Sequence, residues 1–184
     1  MRVISGSAKG RKLQSVPGDQ TRPITDRVKE ALFDIVGPDV RESVWWDLFA
    51  GTGAVGIEAL SRGASFARFT DLNRAPLETI NGNLERTRLS ARAEVRRADA
   101  FVLLAVPPDK PFDYIYVAPP QYKRWWQRTL HALDGNPGWL DVNGWIIVQL
   151  DPKEYEPRPL VNFREFDARR YGTTLLLFLA RPES

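Results

Sequence analysis

Residues 47–56 read Asp47-Leu-Phe-Ala-Gly51-Thr-Gly53-Ala-Val-Gly56, and this stretch decides the predicted fold. It ends a short apolar run and opens a helical pattern, which places its glycines at a strand-to-helix turn. Glycine lets the backbone turn sharply and approach a ligand closely, while the helix N-terminus presents unpaired N–H groups to that ligand. The stretch therefore predicts the ligand-binding turn of an α/β sheet.

Outward from this turn, short apolar runs alternate with helical segments, which is typical of a mostly parallel sheet with helices on both faces. The alternation ends after Leu150, and two apolar runs around Gly172 predict an antiparallel C-terminal pair. The predicted fold class is α/β and Rossmann-like, with about seven strands. The strands are predicted at 44–49, 66–71, 93–97, 113–118, 145–150, 162–169 and 173–180, and the main helices at 54–62, 75–88, 99–105 and 123–133.

The first forty residues form a basic extension to this sheet. Residues 1–30 hold seven basic and three acidic side chains, a net charge of +4, whereas the whole chain carries +3. Segments 2–5 and 12–16 flank a glycine turn, which predicts a hairpin, and a helix capped by Thr25 and Asp26 follows. We divide the chain into this extension, 1–40, and a main domain, 41–184. The charge fits either a phosphate-binding arm or a solvated face.

The composition excludes several classes of site. The chain of 184 residues has no Cys and one His, which excludes thiol catalysis and weakens any histidine-based triad or metal centre. We expect no metal. It also lacks an apolar run of about 18 residues and an apolar signal core, which predicts a soluble intracellular protein without membrane contact.

Three acids follow three successive predicted strands. The pattern Gly51-x-Gly53-x-x-Gly56, with Asp71 twenty residues after Gly51, also fits a nicotinamide dinucleotide. However, the Asp47 carboxylate would repel a pyrophosphate and attract the ammonium and sulfonium of S-adenosylmethionine. Asp71 can accept from ribose hydroxyls, and Asp99 from the adenine amino group. The alternative is that Asp71 and Asp99 are only helix caps.

The fourth predicted strand leads into Ala118-Pro119-Pro120-Gln121-Tyr122. Consecutive prolines hold their carbonyls in fixed directions, so this loop can present acceptors to an exocyclic amine. Tyr122 can stack on a base that has swung out of its helix. The alternative is a rigid turn with Tyr122 packed in the core.

These motifs together resemble a family of methyltransferases. The turn at 47–56 followed by a Pro-Pro loop is similar to class I, S-adenosylmethionine-dependent amino-methyltransferases. Three N-terminal segments, Arg2-Val-Ile-Ser-Gly6, Gly10-Arg-Lys-Leu13 and the stretch 22–33, closely resemble the RsmD family. The resemblance runs from Arg2 to about Tyr122 and weakens beyond it. It implies methylation of guanine N2 in small-subunit (16S) ribosomal RNA, as part of a cytoplasmic rRNA-processing pathway.

The resemblance also implies roles for particular residues. It places Asp47, Ala50, Gly51 and Gly53 around the methionine moiety, Asp71 at the ribose and Asp99 at the adenine, with Leu72 and Ala100 as further cofactor-binding residues. It assigns RNA contacts to Lys9, Arg11, Lys12, Arg22, Arg27 and Lys29, with Thr25 at the same entrance. The catalytic loop comprises Ala118, Pro119, Pro120 and Tyr122.

This catalytic loop departs from the family pattern. The family usually has Asp or Asn before the two prolines and an aromatic residue directly after them, whereas here Ala118 precedes them and Gln121 intervenes. Losing one preorganised contact can slow a reaction about 10²–10³-fold. One alternative is therefore an RNA-binding protein with weak or lost activity. A methyltransferase acting on DNA or protein, and a nicotinamide-dependent oxidoreductase built on the glycine turn, are the others.

Overall fold

A computed structural model describes residues 1–18 and 23–183, which form one seven-stranded sheet with helices on both faces. The strands are β1 Val44–Asp47, β2 Phe66–Asp71, β3 Ala93–Arg97, β4 Phe112–Val117, β5 Leu140–Leu150, β6 Arg164–Tyr171 and β7 Thr174–Ala180. The α-helices are α1 Asp26–Val36, α2 Ala54–Ser61, α3 Arg74–Thr87, α4 Ala100–Leu104 and α5 Trp125–Gly135. None of the helices in the described part of the chain is both long and apolar enough to cross a membrane.

The strand order is β3-β2-β1-β4-β5-β7-β6. Strands β1 to β5 are parallel, and β7 lies antiparallel between β5 and β6. The order reverses between β1 and β4, and an open sheet has its ligand crevice at the carboxyl ends of the strands at such a point. The predicted fold class, with its antiparallel C-terminal pair, is confirmed.

Two cores form on the two faces of the sheet. Trp45 and Trp46 are adjacent on β1 and fully buried, so their side chains point to opposite faces. Trp45 stacks between Phe33 of α1 and Tyr114 of β4, with ring centroids 5.2 and 4.5 Å away. Trp46 contacts Trp139 on the face that α4 and α5 cover. Both tryptophans therefore pack in the interior.

Two boundary predictions were wrong. Strand β5 begins at Leu140 rather than at Trp145, because the polar residues before Trp145 continue the ladder through a register shift against β4. Gly144 permits this, since a Cβ there would lie 2.8 Å from the Asp113 carbonyl oxygen. The N-terminal hairpin is shorter than predicted, with one bridge between Arg2 and Lys12 and backbone bonds from the Val3 N–H to the Arg11 carbonyl and from the Leu13 N–H to the Met1 carbonyl. The N–H groups of Ile4 and Ser5 donate to Glu58 of α2 instead.

The N-terminal arm, residues 1–18, is held on α2 by a buried carboxylate. The backbone N–H groups of Ile4 and Ser5 donate to Glu58 at 2.9 and 3.1 Å. Val3, Ala8 and Leu13 join the core that α1, α2 and α3 cover. The arm therefore shares its packing with the main sheet.

Gly56 sets how closely α2 can approach the sheet. A Cβ at this position would lie 2.4 Å from the Phe69 ring. We expect Gly56→Ala to lower the free energy of unfolding by about 1–3 kcal/mol because the ring has to move in a packed core. Urea unfolding measures this change.

Gly82 provides the matched control for this prediction. It lies inside α3 with no atom within 4 Å of the corresponding position. Gly82→Ala should therefore stabilise the protein by about 0.4–1 kcal/mol. Equal effects of the two substitutions would contradict the tight contact between α2 and β2.

Candidate functional site

A cavity of about 980 Å³ opens at the carboxyl ends of β1 to β4. It is large enough to bury most of a cofactor. Its wall contains the segments that follow these four strands, together with the end of the N-terminal arm. The lining includes residues 15–18, 23–24, 47–52, 71–73, 98–101 and 118–123.

Asp47 is a buried carboxyl group in the wall of this cavity. The backbone N–H of Gly56 donates to its Oδ2 at 3.2 Å, while Oδ1 has no hydrogen-bond partner among residues 1–18 and 23–183. Burial raises the pKa of Asp47 to about 8, against the lowering effect of the Gly56 hydrogen bond. A buried acceptor without a partner fits a ligand that carries a positive charge. The α-ammonium of S-adenosylmethionine meets this requirement.

Asp71 ends β2 beside the glycine turn. Its Oδ2 accepts from the Gly51 N–H at 3.2 Å, and its Oδ1 accepts from the Asn73 N–H at 3.0 Å. The carboxylate is half-buried and lines the cavity. Asp71 thus connects the turn after β1 to the entry of α3, in a position that fits contact with a ribose.

Asp99 serves as a helix cap and also lines the cavity. It is the N-cap of α4, and its Oδ1 accepts from the Phe101 N–H at 2.8 Å. Its neighbour Ala100 and the exposed Leu72 lie on the same wall. Asp99 is therefore a helix cap, as the alternative interpretation predicted, and it also belongs to the wall of the cavity.

The predicted cofactor residues do not all reach the cavity. Ala50 and Gly51 line it, whereas Gly53 is not part of its wall. Gly53 is buried and occupies the N-cap of α2 with φ +78°, with the side chains of Ile80 and Phe69 3.3 Å from the position of a Cβ. Gly53 therefore shapes the turn, and the neighbouring Ala50 and Gly51 are the residues placed to contact the cofactor.

The Pro-Pro loop brings its residues to the cavity as predicted, because Ala118, Pro119, Pro120 and Tyr122 all line it. The alternative that Tyr122 packs in the core is wrong, since this residue is 64% exposed. Its N–H donates to Glu154 and its hydroxyl donates to Asp151 Oδ2, both at 2.6 Å. These bonds hold Tyr122 at φ +62°, a left-handed conformation that costs a non-glycine residue energy.

A polar pair formed by the buried Tyr116 and the half-buried Gln149 lies in the same wall. The Tyr116 hydroxyl donates to Gln149 Oε1, and both residues line the cavity beside Ala118. Burial raises the pKa of Tyr116 well above its ordinary value, so the hydroxyl keeps its proton. Sequence reasoning missed this pair because its members lie on separate strands.

An aromatic cluster on the other side of the cavity was also missed. Phe49, Phe101 and Trp125 line the wall, and their ring centroids are 5.7–6.4 Å apart. A sequence signal for this cluster exists: Phe49 comes two residues after Asp47, which ends β1, and Phe101 comes two residues after Asp99, which follows β3.

The predicted RNA contacts divide into three groups. Lys9, Arg11, Lys12 and Arg27 are exposed, as contact with RNA requires. Arg22 lies outside the described residues.

The prediction for Lys29 is wrong, because this side chain is fully buried. Its Nζ lies 3.3 Å from Glu58 Oε1 and donates to the Arg2 carbonyl at 2.6 Å. Lys29 stabilises the fold and cannot reach RNA.

The strand order and the cavity define the class of this protein. One antiparallel strand inserted beside β5 is the arrangement of class I methyltransferases, and the unpartnered Asp47 oxygen fits their cationic cofactor better than a pyrophosphate. A family model described as "Conserved hypothetical protein 95" matches residues 1–180, so the chain belongs to that family. The resemblance to the RsmD family is thereby confirmed.

Individual relatives agree with this assignment. The Bacillus subtilis (strain 168) protein YlbH is 38% identical over 176 residues, which cover 95% of each chain. Ribosomal RNA small subunit methyltransferase D of Escherichia coli (strain K12) is 34% identical over 89% of this chain and 81% of its own length. The solved structure of Escherichia coli yhhF superimposes with a TM-score of 0.85 and 32% identity, covering 98% of this chain and 97% of that one.

Proposed function

We propose that this chain transfers a methyl group from S-adenosylmethionine to the exocyclic N2 amine of a guanine in small-subunit ribosomal RNA. The observation that carries this proposal is a single cavity whose wall includes both Asp47, with its unpartnered oxygen, and the loop at 118–122. Asp47 fits the charged end of the cofactor, and the loop fits the acceptor amine. The relative named ribosomal RNA small subunit methyltransferase D supports the choice of substrate.

The cofactor residues act by binding and orientation. When bound, S-adenosylmethionine supplies a methyl group activated by a sulfonium. Asp47 holds the ammonium, Asp71 with Leu72 orients the ribose, and Asp99 with Ala100 orients the adenine. Gly51 lets the backbone approach the methionine moiety at φ +56°. Correct orientation of two bound reactants can supply about 7–11 kcal/mol of the barrier without an acid or a base.

The loop at 118–122 positions the acceptor. The backbone carbonyls of residues 117–119 accept hydrogen bonds from the guanine N2–H groups, and this helps to localise the nitrogen lone pair toward the methyl group. Tyr122, held by Asp151 and Glu154, stacks on the base. Because Ala118 supplies no side-chain acceptor, the neighbouring Gln149 and Gln121 are the amides available at this wall.

The basic extension 1–40 binds RNA phosphates. Lys9, Arg11 and Lys12 lie exposed on the N-terminal arm, and Arg27 lies on the first turn of α1. Pro23 and Ile24 line the cavity directly before α1, so Arg27 lies near the entrance. The small ribosomal subunit as the substrate particle, a cytoplasmic location and a reaction without a metal belong to the same proposal.

A methyl-transfer assay tests this function. The protein is incubated with S-adenosylmethionine labelled on its methyl group and with small ribosomal subunits that lack the modification, and the labelled nucleotide is mapped. We expect label on N2 of one guanine. Naked ribosomal RNA, DNA and ribosomal protein serve as parallel substrates.

The outcomes of this assay separate the alternatives. Label in DNA alone or in protein alone would show that the substrate is another class of macromolecule. Binding of S-adenosylhomocysteine without label in any substrate would favour the RNA-binding alternative, in which Ala118 marks a lost activity. Stabilisation by NAD and not by S-adenosylhomocysteine would favour the oxidoreductase.

A further inference from the structure

A second cluster of cations lies at the cavity, outside the N-terminal extension. Residues 119–133 contain Lys123, Arg124 and Arg128 and no acidic residue. Lys123 and Arg128 line the cavity, and all three side chains are exposed. The net charge of the chain does not reveal this cluster, because the charges of the residues beyond residue 30 almost cancel.

Aromatic rings hold two of these cations in place. The Arg128 guanidinium carbon lies 3.7 Å from the centroid of the Phe101 ring, and Lys123 Nζ lies 5.1 Å from that of Trp125. None of the three cations has a carboxylate within 4.0 Å in the described ranges 1–18 and 23–183, so their charge is uncompensated there. Basic side chains alternating with aromatic faces match the phosphates and bases of a nucleic-acid strand.

Helix stability does not explain the positions of these cations. Lys123 and Arg124 directly precede α5, and Arg128 lies in its first turns. The N-terminus of a helix carries a partial positive charge, so cations there are unfavourable. The last turn of α5, where a cation is favourable, has none. This placement points to an external anion.

We propose that Lys123, Arg124 and Arg128 form a second RNA-binding surface, which contacts phosphates of the strand that enters the cavity. This inference rests on the proposed function for its choice of RNA. The arm and α1 pack on one face of the sheet, whereas α5 packs on the other. Arg27 in the first turn of α1 and the cations beside α5 therefore lie on opposite faces of the sheet, and an RNA segment bound to both holds its target base over the opening between them.

The test removes three charges and leaves a polar side chain at each position. We expect the triple variant Lys123→Gln, Arg124→Gln, Arg128→Gln to bind a fluorescein-labelled oligouridylate about 10- to 100-fold more weakly, and its salt slope to fall by about 2, from three lost phosphate contacts. Its melting temperature should stay equal or rise slightly, because the cations oppose the helix dipole. Fluorescence anisotropy across a salt series measures both binding quantities.

The control removes three exposed cations from the opposite end of the sheet. Arg41 precedes β1, and Arg86 and Arg88 lie at the end of α3, so Arg41→Gln, Arg86→Gln, Arg88→Gln lowers net charge equally. We expect this variant to lose much less affinity. Equal losses in the two triple variants would show a general charge effect and overturn the inference.

Two further measurements distinguish failure of the inference from failure of the proposed function. If the wild type methylates ribosomal RNA while the first variant binds oligouridylate as the wild type does, only the inference fails. If the first variant binds RNA normally but loses affinity for S-adenosylhomocysteine, the cations belong to the cofactor site and the inference also fails. If the wild type methylates no RNA but its RNA affinity depends on the three cations, only the proposed function fails.

Discussion

Asp47→Asn is expected to weaken binding of S-adenosylhomocysteine by about 100-fold, since removing one partner of a buried charge pair costs about 2–5 kcal/mol. The substitution keeps an oxygen for the Gly56 N–H but removes the negative charge that receives the ligand ammonium. Isothermal titration of the two proteins measures the change. The same substitution should leave the ligand-free protein at least as stable as the wild type.

The pH dependence follows from the raised pKa of Asp47. This pKa is about 8 in the folded protein against an ordinary value of 3.8, so between these values the unfolded chain holds fewer protons. The contribution of Asp47 to stability therefore falls as pH rises through this window. The melting temperature of Asp47→Asn should exceed that of the wild type by a margin that grows from pH 5 to pH 8.

Ligand affinity should change in the opposite direction. The ammonium pairs with ionised Asp47, so wild-type affinity for S-adenosylhomocysteine should rise up to about tenfold per pH unit and level off near pH 8. Asp71→Asn is the control, because it removes a second carboxylate from the cavity and leaves Asp47 to titrate. Wild-type affinity that does not change with pH, or normal binding by Asp47→Asn, would refute the assignment of Asp47.

Glu58→Gln is expected to lower the free energy of unfolding by about 3–5 kcal/mol, the usual cost of breaking a buried ion pair. Glu58 is fully buried and pairs with Lys29 at 3.3 Å and with Arg62 at 2.8 Å. It also accepts the two backbone N–H groups that hold the N-terminal arm. The substitution leaves Lys29 buried without a carboxylate, and burial already lowers the pKa of this lysine.

Two controls make the Glu58 prediction specific. Adding Lys29→Met should restore much of the lost stability, because the double variant no longer buries an unpaired charge. Glu78→Gln removes an exposed glutamate that pairs with an arginine four residues away, and it should cost about 0.3–0.5 kcal/mol. Denaturant unfolding gives all three values. A loss below 1 kcal/mol for Glu58→Gln would show that this cluster does not anchor the arm.

Much of the fold could be predicted because its signals are local. The glycine turn, the apolar period of the strands and the caps of α1 and α4 depend on neighbours within a few residues, and apart from the start of β5 their elements formed within two residues of prediction. The same kind of reasoning predicted which residues meet at the cavity, namely the acids at 47, 71 and 99 and the loop at 118–122. Parallel strands bring their carboxyl ends to one edge, so sequence position alone predicts that these residues meet.

The sequence by itself thus determined the order of elements, the edge of the sheet that holds the cavity and the chemical groups available there. Only the tertiary structure decided which charges are buried and which face the cavity. The sequence predicted Lys29 as an exposed cation, but α1 packs so that this side chain is buried against Glu58. The cations beside α5 were not predicted at the cavity, and in the folded chain they lie there against the aromatic cluster. Burial of a charge depends on partners far away in the chain, and a local pattern carries no information about them.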